Sequence, residues 1–160
     1  MKYKGRLMLN KLELLLPPLP LMFVVAAIMW LLNTFLPIGF YFTGQNMFAM
    51  FLLVIGILFI LPAAISFFKA KTTVDPRTPE KSNTLAISGL YKVSRNPMYV
   101  GMVICLFALS FSQGNVVSLL MSLGFALYLS RFQILPEERF LTAKFGEQYS
   151  EYCQNVRRWL

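Results

Sequence analysis

Two long stretches of this chain carry no charge. From Leu14 to Phe68, and again from Asn96 to Ser130, every side chain is apolar or neutral. Each stretch exceeds one bilayer crossing, since about 20 apolar residues span the hydrocarbon as helix. Backbone inside a membrane must satisfy its own hydrogen bonds, so helices are the expected form. The first stretch is broken by Pro37-Ile38-Gly39 and Thr43-Gly44-Gln45-Asn46, the second by Ser112-Gln113-Gly114-Asn115. Both breaks carry turn chemistry. The pattern predicts four transmembrane helices, near residues 19–36, 47–68, 97–111 and 116–135, the last two forming a tight hairpin.

Beyond the fourth span the pattern changes. Leu141, Phe145, Tyr149 and Tyr152 recur at helical spacing, with Lys144, Glu147 and Glu151 on other faces. That predicts a C-terminal amphipathic helix lying on the membrane or closing over the bundle. Pro136-Glu137-Glu138 reads as its start, because proline suits a first helical position and the dipole there favours carboxylates. Val156-Arg157-Arg158-Trp159 reads as an interface anchor. Pro62 is expected to bend the second span. The expected fold is an all-α, polytopic helical membrane protein, a single domain over residues 1–160 with no internal repeat.

Composition agrees, being 57% hydrophobic and 14% charged. A solvated globule and a disordered chain are both excluded. Lys and Arg sit before span one, between spans two and three, and from Arg131 onward, while the two opposite connections carry none. The positive-inside rule then puts both termini in the cytosol. The net charge of +8 suits orientation and contact with anionic lipid, and no nucleic acid partner is expected. Pro17-Pro18 and the length of the first apolar run favour a retained helix over a cleaved leader. The chain has no histidine, which removes the usual general base and His-built zinc sites. Cys105 and Cys153 form no metal or disulfide pattern, so no metal is expected.

Polar chemistry collects at one membrane face. The prolines of Thr72–Glu80 forbid helix there, and the chain should run extended to Asn83-Thr84-Leu85. In Tyr91–Gly101, polar sequence passes into span three, with Asn96 as a natural N-cap and Pro97 in the first turn. Tyr99 would lie near the interface, and Arg95 could reach phosphates. Paired carboxylates at a bilayer surface, Glu137 and Glu138, are a functional candidate because leaving them desolvated and unpaired is expensive.

Gly89-Leu90-Tyr91 followed by Arg95-Asn96-Pro97-Met98-Tyr99-Val100-Gly101 resembles the signature of integral-membrane methyltransferases of the isoprenylcysteine carboxyl methyltransferase type. Glu137-Glu138, Phe145-Gly146, Tyr149, Tyr152 and Val156 extend the likeness, which runs from about Asp75 to the end and makes residues 75–160 the catalytic half. Phospholipid N-methyltransferases and methanethiol S-methyltransferases are similar at this level. The resemblance implies a cytosol-facing S-adenosylmethionine site without a Rossmann domain, and the chain indeed has no Gly-x-Gly. It implies cofactor contacts from Asn83, Thr84, Leu85, Ala86, Tyr91, Asn96, Pro97, Met98, Tyr99 and Glu137. Arg95, Arg131 and Glu138 are the expected catalytic residues, the two arginines through electrostatic positioning. Methyl transfer from a sulfonium needs chiefly alignment, so a site without His remains competent. Prenylcysteine enzymes have His where this chain has Asn96, a form found among bacterial relatives, which points to a prokaryotic inner (plasma) membrane. Gln133 stands where some relatives place an Arg thought to hold a substrate carboxylate. The expected acceptor is therefore apolar or lipid-like, entering from the inner leaflet, or else a small molecule, with the methylated group a thiol, carboxyl or amine. Two other readings are a nicotinamide-dependent membrane reductase and a non-catalytic transporter or assembly factor. The absence of charge within the spans weighs against transport.

Overall fold

The computed structural model describes residues 13–69, 85 and 87–160. Six α-helices are described: α1 (Pro18–Phe35), α2 (Gln45–Lys69), α3 (Pro97–Gln113), α4 (Val116–Leu129), α5 (Leu135–Phe145) and α6 (Glu147–Asn155). A 3₁₀ turn (Gly89–Lys92) precedes α3, and a π-turn (Ser130–Ile134) joins α4 to α5. Among the described residues there is no β-strand, only an isolated bridge between Gly39 and Asn115. Pro18–Phe35, Gln45–Ser66 and Val116–Phe145 are long and apolar enough to cross a membrane. Pro97–Gln113 is apolar but has 17 residues, the short end of what spans a bilayer. The protein is an all-α membrane protein.

Met22 and Met29 of α1, Met102 and Leu106 of α3, and Phe125 and Leu129 of α4 are buried together as the core. Large side chains on the other faces stay exposed, among them Phe23, Trp30 and Phe35 on α1 and Phe51 and Leu58 on α2. Such a surface is suited to lipid rather than water. Helix α2 packs mainly along α3. That contact is set by Gly56 and Gly101, where the backbones meet: a Cβ on Gly101 would lie 2.6 Å from the Gly56 carbonyl oxygen, and one on Gly56 would lie 2.5 Å from Cys105 Sγ. Only glycine permits helices to approach so closely.

The turns at the end of the bundle away from Arg95 are tied to one another. Phe40 N–H donates to the Gly114 carbonyl at 2.7 Å, and Val116 N–H to that of Ile38 at 3.0 Å. Asn115 caps α4 by accepting from the amides of Val117 and Ser118. Its own amide donates to Asn33 Oδ1 and the Leu36 carbonyl. Ser110 and Ser122 hydroxyls meet at 2.9 Å inside the α3–α4 hairpin.

The sequence reads Pro136 as the start of a new helix; the structure differs. Helix runs on from Val116 to Phe145 through the π-turn, and the residue before Leu135 is itself helical. Proline lacks the N–H that would reach the carbonyl four residues back, here that of Phe132. The Leu14 N–H takes that carbonyl instead, at 3.0 Å. Gln133 Nε2 donates to the Leu16 carbonyl at 2.7 Å, and the Glu13 carboxylate accepts from Arg131 at 2.7 Å and also from Arg139. The segment before α1 is thereby tied to the π-turn. The single amphipathic helix read after Pro136 is two short ones, because Gly146 adopts φ 54° between them. Helix α2 continues through Pro62 without a break in its helical assignment.

Three outcomes follow. Gly101→Leu must force α2 from α3 and should cost about 1–3 kcal/mol or more, as overpacking does. Gly124→Ala, with nothing within 4 Å of its added Cβ, should hold or slightly raise the detergent-solubilised melting temperature, since alanine favours helix over glycine by about 0.5–1 kcal/mol. At Glu13, burial would raise the carboxyl, but the bonds from Arg131 and Arg139 outweigh it and hold the group below the ordinary carboxylate range. A depressed pKa stabilises the fold above the unfolded value, about pH 4.3, and the gain is lost as pH falls through the lower folded value. Melting curves of Glu13→Gln should therefore show a weaker acid dependence than those of the wild type.

Candidate functional site

Proline at 97 fixes the first turn of α3 and brings Tyr99 into the core two residues later. Its hydroxyl donates to Glu137 Oε1 at 2.6 Å. Glu137 and Glu138 lie about 100° apart around α5 and meet different partners. Glu138 is held by two guanidinium groups. Arg95 reaches its Oε1 at 3.0 Å, while Arg158 bonds to both oxygens, at 3.0 and 2.7 Å. Glu137 pairs with no Lys or Arg among the described residues. Two adjacent carboxylates thus differ in kind: one is over-compensated, the other has a tyrosine hydroxyl but no counter-charge among the described residues.

The segment after α6 is part of this arrangement. Arg95 N–H donates to the Arg157 carbonyl at 2.9 Å, and Asn96 Nδ2 to that of Arg158 at 3.0 Å. Trp159 packs against the core cluster. The interface anchor expected from Val156-Arg157-Arg158-Trp159 is instead folded back onto the turn before α3. Its carbonyls explain why: buried backbone acceptors need donors, and Arg95 and Asn96 supply them. Asn96 occupies the N-cap position without capping by its side chain; its Nδ2 is turned to the Arg158 carbonyl.

Three tyrosines line the same region. Tyr152 hydroxyl donates to the Tyr91 carbonyl at 2.6 Å, joining α6 to the 3₁₀ turn. Burial, then the nearby Tyr152 and Glu137, pushes the Tyr91 phenol above its ordinary range. Tyr149 is 3% exposed; burial first, then Glu138, raises its phenol too. Both therefore stay protonated at neutral pH and act as hydroxyls. An open groove of about 500 Å³ runs between Lys92 and the face of α6 that carries Glu151 and Asn155, with Tyr152 in its wall.

The residues singled out in the sequence divide into groups. Arg95, Asn96, Tyr99, Glu137 and Glu138 come together through the contacts above, and Tyr91 lies within electrostatic reach of Glu137. Pro97 is buried and Met98 half-buried against the core. Leu85 is half-buried. Asn83, Thr84 and Ala86 lie outside the described residues. Arg131 is engaged by Glu13, not by Glu138. Arg158 and Tyr149 belong to the cluster, whereas the sequence reads Arg158 as part of an interface anchor and Tyr149 as part of an apolar face and of the family likeness, without a role in the site. The Arg157-Arg158 doublet after a helix was the available signal, and it does not say which way the chain turns.

Fold and site together define an all-α membrane protein with a cluster of charged and tyrosine side chains at one end of its helices. The chain belongs to the phospholipid methyltransferase family, whose match covers residues 44–148. It is 41% identical over 63 residues to an uncharacterised protein of Haemophilus influenzae, covering 39% of this chain and all of that one. It is 35% identical over 79 residues to a protein-S-isoprenylcysteine O-methyltransferase of Schizosaccharomyces pombe, covering 48% of this chain and 32% of that one. With protein-S-isoprenylcysteine O-methyltransferase A of Arabidopsis thaliana it shares 30% identity over 112 residues, 68% of this chain and 55% of the other. The match thus spans about a third to a half of those two named methyltransferases. No solved structure matches the chain.

Glu138→Gln would leave two guanidinium groups beside each other with no carboxylate between them. Breaking a buried ion cluster from one side costs roughly 3–5 kcal/mol; with Arg158 39% exposed the lower end is expected. Thermal unfolding should register the loss, and added salt should recover part of it by screening the repulsion.

Proposed function

We propose that this chain is an S-adenosylmethionine-dependent methyltransferase acting at the membrane surface on a lipophilic acceptor. The observation that carries the reading is the pair of opposite electrostatic vacancies at one place. Glu137 lacks a cation among the described residues, while two arginines share Glu138 and Arg95 Nε is buried without a hydrogen-bond partner. An amino-acid end, ammonium beside carboxylate, is the complement of that arrangement. The residues therefore fit S-adenosylmethionine on charge as well as by family.

In this reading Glu137 receives the ammonium or ribose hydroxyls, and Tyr99 fixes the carboxylate's orientation. Tyr91, with Asn83, Thr84, Leu85 and Ala86, would border the nucleoside, and Asn96, Pro97 and Met98 would form the wall beside α3. Bound there, the sulfonium supplies an activated methyl group. Arg95 and Glu138 set the local charge. Arg131, held by Glu13 at the π-turn, would act from further off by stiffening the α4–α5 junction. The exposed apolar helices support entry of the acceptor from the bilayer, and positive-inside charge supports a cytosolic placement of the site and both termini. The methylated atom is a thiol, carboxyl or amine group on that acceptor.

Calorimetric titration of S-adenosylmethionine into the detergent-purified protein tests the reading. Wild type should bind, and Glu137→Gln should bind about tenfold or more weakly, the worth of one charge-assisted contact. Folded wild-type protein that takes up no ligand at saturating concentration would sink it. Tyr99→Phe should weaken binding less, because it removes the carboxylate's support and not the carboxylate.

A further inference from the structure

Arg158 bonds to both oxygens of Glu138, at 3.0 and 2.7 Å, whereas Arg95 reaches only one of them, at 3.0 Å. The Arg95 side chain is 13% exposed, and its Nε is buried with no hydrogen-bond partner. A guanidinium alone with a carboxylate tends to pair through two parallel bonds. Here the second guanidinium prevents it. Arg158 is brought there by the segment after α6, whose carbonyls at Arg157 and Arg158 accept from Arg95 N–H and Asn96 Nδ2. The same short segment therefore both fixes the backbone of Arg95 and competes for the carboxylate its side chain would otherwise take.

We propose that Arg158 is a positioning residue: by bonding to both oxygens of Glu138 it competes with Arg95 for that carboxylate and keeps the Arg95 guanidinium incompletely paired, so that Arg95 can receive the carboxylate of an amino-acid end on the bound nucleoside. This rests on the S-adenosylmethionine reading and adds to it a residue and a selectivity. The cluster has two positive charges against one negative, and a ligand carboxylate would balance it. Removing Arg158 restores one-to-one pairing of Arg95 with Glu138 and withdraws Arg95 from the ligand. The site would then lose its preference for ligands with the amino-acid end, not its affinity for the nucleoside.

Two thioethers separate these effects. S-adenosylhomocysteine carries the amino-acid end; 5′-deoxy-5′-methylthioadenosine has the same nucleoside without it. Calorimetry on the full chain should show the first binding wild type roughly tenfold or more tightly than the second, as expected for charge-assisted bonds. In Arg158→Gln that ratio should shrink by at least about threefold, with methylthioadenosine affinity kept within about twofold. Arg158→Lys, which keeps the charge but not the two-pronged bond, should lie between, and it carries the test should Arg158→Gln not fold. Parallel loss of both ligands in the variants would make the segment merely structural and overturn the proposal, as would an unchanged ratio. Equal binding of the two ligands by wild type would overturn it while leaving a nucleoside site standing. Binding of neither ligand by wild type would bring down the methyl-donor reading and the proposal together.

Discussion

Glu138 is the point on which the charged end of the molecule depends. Its two oxygens receive Arg95, from the turn leading into α3, and Arg158, from the segment after α6. Three stretches distant in sequence are closed around one carboxylate, and the interaction is strong only because all three arrive together. A carboxylate at the edge of a low-dielectric region must be paired or it destabilises the fold. Once Glu138 is committed, its neighbour is left facing Tyr99 and Tyr91. The aim of Glu137 is thus a consequence of how Glu138 is satisfied.

The helix carrying both carboxylates is continuous for a related reason. Pro136 cannot bond to the Phe132 carbonyl, and an unpaired carbonyl at membrane depth is costly. The π-turn and the Leu14 N–H absorb that defect. The segment before α1 is tied to the same place by Glu13 with Arg131 and Arg139. Pi-turns recur where a helix must be re-aimed at a functional site, and here one lies directly before the two glutamates. The close approach of α2 and α3 at Gly56 and Gly101 holds the other side of the bundle.

Chemistry between a water-soluble methyl donor and a lipophilic acceptor needs a junction of the kind seen here. Charged and phenolic groups gather where α3 and α5 emerge, while the flanking helices expose apolar side chains along their length. Membership of the phospholipid methyltransferase family agrees with that arrangement.

The four apolar helices were legible from the sequence because the requirement is local: charge must be absent over a span's length, and turn residues must interrupt it. The end of the molecule bearing polar chemistry was legible for the same reason, since charge could collect nowhere else. The resemblance carried by Arg95–Gly101 and Glu137-Glu138 also lies in short stretches. Which charges pair was not legible. Arg131 meets Glu13 rather than Glu138, and Arg158 turns inward rather than to the interface, because ion pairing depends on distances between segments far apart in the chain. Proline at 136 looked like a helix start because a propensity describes one residue and its neighbours. The π-turn and a distant N–H, that of Leu14, accompany the helix where it continues through this proline. The sequence by itself determined which stretches form apolar helices and which polar side chains stand at their ends. Tertiary structure decided which of two adjacent carboxylates is neutralised, because that choice belongs to whichever cation the folded backbone brings within 3 Å.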